Sequence, residues 1–87
     1  MTGVFVYQAT ITITLRKSIL DVQGKAVEHG IHTMGMTNVG NVRIGKLIHL
    51  DIDTTDETAA RRITDDACKK ILANQVMEDY SYTIAKV

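Results

Sequence analysis

Proline and tryptophan are absent from this chain, and cysteine occurs once. The lone Cys68 cannot close an internal disulfide, which fits a reducing cytoplasm. No charge sign is in excess: ten Lys and Arg balance ten Asp and Glu. Proteins that grip nucleic acid through its phosphates carry a basic surplus, so no nucleic-acid partner is expected. Three Tyr and one Phe make no evident platform for stacked bases. No apolar run approaches the ~18 residues of a membrane-spanning helix. No basic segment followed by an apolar core opens the chain, as a signal peptide would require. The expectation is a cytoplasmic protein with no membrane partner.

What is present is ordinary globular composition, 45% hydrophobic and 23% charged. Eighty-seven residues make one domain, spanning 1–87. A domain this small buries only about 60% of its unfolded surface, and self-association is a common remedy.

Residues 4–15 alternate. Phe5, Tyr7, Ala9, Ile11, Ile13 and Leu15 share one parity, and Gln8, Thr10, Thr12 and Thr14 the other. This predicts a strand with one buried face and a threonine face that a second surface could cover. Asp21 is a good helix N-cap, and a helix follows to about Met34, with Val27, Ile31 and Met34 on its apolar stripe. Gly30 inside that helix implies a close packing contact. Gly35, Asn38, Gly40 and Asn41 mark the exit and a loop.

Val42, Ile44, Ile48, Leu50 and Ile52 are even-numbered, whereas His49, Asp51 and Asp53 are odd. A two-residue hairpin at Gly45-Lys46 would move Ile44 to the polar face, so that turn is disfavoured. Either one strand kinks at Gly45, or a longer loop over Gly45, Lys46 and Leu47 restores the parity. Thr54 and Glu57 have capping-box spacing, with Thr55 a competing cap. The helix they open should run to about Ala73, with Ala60, Ile63, Ala67 and Ile71 inward and Cys68 and Leu72 flanking. Glu57–Arg61, Asp65–Lys69 and Asp66–Lys70 are acid-then-base pairs four apart. Asn74 suits the C-terminal cap. A last strand carries Tyr80, Tyr82 and Ile84 on one face. The order β-α-β-(β)-α-β predicts an α+β two-layer sandwich, similar to the ferredoxin-like form. Two helices would cover one face of a three- to four-stranded sheet.

Candidate chemistry is sparse. His29 and His32, near Glu28, could face one metal ion, but His49 lies on a strand and no Cys/His cluster completes a shell. Asp51, Asp53, Asp56 and Glu57 crowd a strand end and a helix start, where acids face solvent or complement the helix dipole. Cys68 flanks a buried stripe and reads as core filler rather than nucleophile. Ser18 has no G-x-S-x-G context. Arg43 and Lys46 flank Ile44-Gly45, placing two cations at a kink or turn. They could hold a phosphate or carboxylate, or meet a partner. No catalytic residues and no metal ligands are assigned.

Three segments then carry a resemblance: Leu15-Arg16-Lys17-Ser18-Ile19-Leu20-Asp21-Val22-Gln23-Gly24, Val42-Arg43-Ile44-Gly45-Lys46, and Leu72-Ala73-Asn74-Gln75-Val76-Met77-Glu78-Asp79-Tyr80. In order and spacing they resemble the PurS family. Val22 stands where the family often has proline, and Gln75 where it often has another small or cyclic residue. The resemblance implies a non-catalytic small subunit of phosphoribosylformylglycinamidine synthase, in purine biosynthesis. Its partners would be the large synthetase subunit PurL and the glutaminase subunit PurQ, with self-association to a dimer or tetramer. The complex would use ATP and magnesium, and this chain would bind no cofactor. Arg43, Gly45 and Lys46 are the expected partner-contact element. The alternative is a stand-alone ferredoxin-like module that binds a small anion near Arg43 and Lys46.

Overall fold

The computed structural model describes residues 6–87, so Phe5 and the start of the expected first strand lie outside the described residues. The elements are β1 (Tyr7–Leu15), α1 (Val22–Thr33), β2 (Gly45–Ile52), α2 (Glu57–Ala67) and β3 (Glu78–Lys86), with a π-helical turn, Cys68–Leu72, extending α2. The α+β class with two helices holds, and the sheet has three strands in the order β2-β1-β3.

Both pairings of β1 are antiparallel. Ile11 lies opposite Ile48 on one side and Tyr82 on the other. That register puts the odd residues of β1 on the same face as Ile48, Leu50 and Ile52 of β2 and Tyr80, Tyr82 and Ile84 of β3. Ala9, Ile11 and Ile13 are fully buried there, with Tyr7 and Ile52 nearly so. The opposite face keeps its threonines. Thr12 and Thr14 are exposed, Gln8 donates to Asp51 at 3.3 Å and Thr10 bonds His49 at 3.3 Å.

Neither expected arrangement around Gly45 is the one adopted. Val42, Arg43 and Ile44 are not strand, and β2 begins at Gly45 itself, opposite Thr14. A Cβ on Gly45 would lie 2.8 Å from the Ile13 carbonyl oxygen. The glycine is therefore needed for close approach of the two strands, not for an unusual backbone angle.

Helix α2 covers the buried face, but through a different stripe from the expected one. Ala60, Thr64 and Cys68 are buried, while Ile63 is exposed and Ile71 is 80% exposed. Thr64 satisfies its hydroxyl by donating to the Ala60 carbonyl, so a polar residue can occupy the inward position. The π turn then adds backbone within a single turn, which shifts the facing of residues 68–72 and turns Leu72 and Ala73 inward in place of Ile71. The helix start also moves: Asp56, not Thr54 or Thr55, is the N-cap, accepting from the Thr58 N–H. Thr54 instead accepts from the Asp56 N–H. Glu57–Arg61 and Asp65–Lys69 pair as expected. Tyr80 on β3 donates to Asp65 at 2.7 Å, tying the helix to the sheet edge.

Helix α1 is different. Gly24 is its one buried residue, and Met34 of the expected stripe is 77% exposed. The expected packing contact at Gly30 is absent, since a Cβ there would meet nothing within 4 Å. The radius of gyration, 16.9 Å, exceeds the ~12 Å of a compact chain of this length. The described residues measure 51 × 26 × 21 Å.

Candidate functional site

The three segments picked out above, 15–24, 42–46 and 72–80, meet at one end of the sheet, where β1 ends and β2 and β3 begin. Each is fixed to another by side chains that reach backbone groups.

Asp21 is the centre of the first junction. It is 3% exposed. One carboxylate oxygen accepts from the Gly24 N–H at 2.8 Å, capping α1, and the other from the Ile44 N–H at 2.6 Å. Those two N–H groups hold its carboxyl below the usual carboxylate range. Burial opposes them, and nearby Arg43 acts with them. Glu28 repeats the device about two helical turns on, accepting from the Val42 N–H at 3.1 Å.

Arg43 closes the second junction. Its Nη2 donates to the carbonyls of Arg16 and Ile19, both at 2.9 Å, and to that of Leu15 at 3.4 Å. Residues 15–19 form the turn leaving β1, so one guanidinium nitrogen holds that turn against residues 42–44. Arg16 passes the connection on. Its Nη2 donates to the Gln75 carbonyl at 2.6 Å, its N–H donates to the Met77 carbonyl at 2.9 Å, and its Nε lies 3.5 Å from Asp79.

Lys46 belongs to the third junction. It lies on the same sheet face as Ile13 and approaches Glu78 at 3.4 Å, across the end of β1. Glu78 also accepts from the Asn74 N–H at 2.8 Å. That bond is the main reason its carboxyl titrates low, with Lys46 adding to it against partial burial. Asn74 does not cap a helix as expected. Its side chain accepts from the N–H groups of Val76 and Met77, making the turn into β3.

The sequence-marked residues thus gather in part. Arg43, Gly45 and Lys46 are all at this end, but Arg43 turns to the 15–19 carbonyls and Lys46 to Glu78. The other candidates lie apart. His32 bonds the Val39 carbonyl, His49 bonds Thr10, and Asp56 caps α2. Among the described residues no three His, Cys, Asp or Glu side chains are grouped to hold a metal ion. Cys68 is buried, and burial followed by the Asp65 carboxylate pushes its thiol up, away from the reactive thiolate. Sequence reasoning took Asp21 for a helix cap only, and assigned nothing to Arg16 or Gly24. The signal for Gly24 was a glycine in the first turn of a helix, a position that gains nothing from it unless another chain segment lies close.

Asp21 gives a test of this junction. Replacing it by Asn keeps the shape but sets an amide N–H2 against one of two N–H donors. Thermal melting of Asp21→Asn at neutral pH should fall by at least about 5 °C. A carboxyl whose folded value is depressed adds stability above its unfolded value, near 3.8, and loses it as pH falls through the lower folded value. The gap between wild type and variant should therefore close on acidification below that range. A gap that is constant with pH would show that the carboxylate charge has no part in the junction.

Comparison with known proteins places this arrangement among relatives. A family model described as PurS, phosphoribosylformylglycinamidine (FGAM) synthase, matches residues 8–86. The phosphoribosylformylglycinamidine synthase subunit PurS of Bacillus subtilis is 40% identical over 81 residues, covering 93% of this chain and 95% of that protein. A crystal form of B. subtilis PurS superposes with a TM-score of 0.82 at 39% identity, over 91% of this chain and 98% of that one. A chain in a structure described as PurLQS from Thermotoga maritima superposes with a TM-score of 0.83 at 26% identity, over 94% of this chain and 98% of that one.

Proposed function

This chain belongs to the PurS family, and on that premise we propose that it is the small subunit of phosphoribosylformylglycinamidine synthase, bridging the PurL synthetase and PurQ glutaminase subunits. In that complex glutamine supplies ammonia. The synthetase, using ATP with magnesium, transfers it to formylglycinamide ribonucleotide to give the formylglycinamidine ribonucleotide. This subunit acts in the cytoplasm without a cofactor of its own, as a self-associated dimer or tetramer that supports ammonia transfer.

One observation carries the reading: the likeness to PurS subunits runs through nearly the whole chain, 93% of it against the B. subtilis protein. The PurLQS structure from T. maritima, which contains a chain of the same fold, supports association with the other two subunits. Self-association is supported by the weak burial of α1. Val22 and Met34 are more than 70% exposed in the single chain, and apolar surface of this kind is stabilised by a covering surface.

The partner-contact element proposed is Arg43, Gly45 and Lys46. Lys46 is the member best placed, since its side chain is 58% exposed beside Glu78. Mixed with PurL, PurQ, ATP, magnesium and glutamine, the chain should elute with both in one size-exclusion peak. Lys46→Ala should weaken that association about tenfold, or about 1.4 kcal/mol. Its own fold should be little affected, because an exposed ion pair contributes about 1 kcal/mol or less. Arg43→Ala should weaken it further, by freeing the 15–19 turn. Co-elution of both variants at wild-type strength would remove these residues from the contact. A wild-type chain that never joins the peak would sink the bridging role.

A further inference from the structure

The alternative reading of the sequence put a small-anion site near Arg43 and Lys46, but those two cations turn to different partners, the 15–19 carbonyls and Glu78. Arg43 instead shares a hollow of about 400 Å³ with Lys17, Lys25, Asp21, Asn41 and Val42. Lys17 comes from the turn after β1, Lys25 from the first turn of α1 and Arg43 from the loop that leads into β2. Three segments thus bring three cations to one concavity, against a single lining acid.

The acid is already engaged. Both Asp21 oxygens accept backbone N–H groups, and those bonds hold it ionised. The cations are differently placed. Arg43 uses only Nη2 on the three carbonyls, so among the described residues its Nε and Nη1 donors make no hydrogen bond. Three carbonyls fix the guanidinium, so little of its rotamer freedom remains to be lost on binding. Lys25 has only a loose neighbour in Glu28, at 3.7 Å. The hollow is within the ~300–1,000 Å³ usual for small-ligand sites.

We propose that this hollow binds a phosphate group. The three cations, set against Asp21 in the lining and Glu28 beside Lys25, leave a net charge of one, and donors from three segments suit the several oxygens of a phosphate better than the two of a carboxylate. A tetrahedral group can accept from a fixed planar donor and two mobile ammonium groups at once. Inorganic phosphate and the phosphate of a nucleotide or sugar ester offer the same chemistry. The site is a property of the single chain and does not depend on the bridging role.

The test is an amide-resolved NMR titration of the full chain with inorganic phosphate, at constant ionic strength set with chloride. Saturable shifts confined to residues around 17, 25 and 41–43 are expected. Lys17→Gln/Lys25→Gln should bind at least about tenfold more weakly, from the loss of two charge-assisted contacts. Both lysines are exposed, so its melting point in phosphate-free buffer should stay within about 3 °C of wild type. Ribose 5-phosphate and ADP form the second arm. Tighter binding than inorganic phosphate marks an ester as the ligand, and equal or weaker binding marks free phosphate. Non-saturating shifts spread over all lysines, or a double variant that binds as well as wild type, would overturn the site. So would loss of PurL association in the double variant with no phosphate binding by wild type, which would assign the hollow to a partner's acidic side chain.

Discussion

Leaving this subunit out of a reconstituted mixture of PurL and PurQ should lower glutamine-dependent turnover by about a hundredfold, while turnover supplied with an ammonium salt persists. The magnitude follows from effective concentration. A bridge that holds the ammonia source beside its acceptor raises local encounter by about 10²–10⁴ without touching the chemistry. Free ammonium bypasses the bridge, so its turnover should not need this chain. Formylglycinamidine ribonucleotide formation, followed with each nitrogen source in turn, separates the cases. Undiminished glutamine-dependent turnover would remove the bridging role. Loss of both activities would mean that this subunit is required for the ligation step itself.

Gly24→Ala should be the most damaging single-methyl change in the chain. An alanine Cβ at that position would lie 2.2 Å from the Val42 carbonyl oxygen and 3.0 Å from Oδ2 of Asp21. Neither neighbour can move aside freely. The Val42 N–H is held by Glu28, the Ile44 N–H by Asp21, and Arg43 between them is fixed by three carbonyls. Overpacking of this kind costs about 3 kcal/mol, a large part of the ~5–15 kcal/mol that stabilises a typical domain. The melting temperature should fall by more than about 10 °C. The sign is informative because alanine normally stabilises a helix over glycine by about 1 kcal/mol. Gly30→Ala is the matched control, since its Cβ would meet nothing, and it should raise the melting temperature by a few degrees. Equal effects from the two substitutions would mean that α1 does not touch residue 42.

Those two glycines also show where the sequence is legible. Periodicity located β1, β2 and β3 and their buried faces, because alternation is a local property that the sheet preserves. The N-cap at Asp21 was equally local. The roles of Gly24 and Gly30 were reversed, because which glycine faces a neighbour depends on a loop 18 residues away. The α2 stripe was misread for a related reason. Thr64 satisfies its own hydroxyl within the helix, so it can lie inward and leave Ile63 outside. The π turn then shifts everything after Cys68, and nothing in the spacing of Ala60, Ile63, Ala67 and Ile71 announces it. At the candidate site, Arg43, Gly45 and Lys46 were marked by their charge and position. Their neighbours were not legible, because Arg16 meets Arg43, Asp21 meets Ile44 and Glu78 meets Lys46 across 27, 23 and 32 residues of chain.

The strand order has a consequence for synthesis. β1 is made first and sits in the middle, and its second edge is filled by the last strand, with Tyr7 opposite Lys86. While the chain is on the ribosome, Ile11 and Ile13 can find β2 but not β3. The growing chain therefore carries a two-stranded ribbon, which α2 can cover on its apolar face but whose second edge stays unpaired until β3 emerges. The β1–β3 pairing is thus the last of the sheet's pairings to form, and the edge of β1 that it fills is the one open to wrong pairing until then.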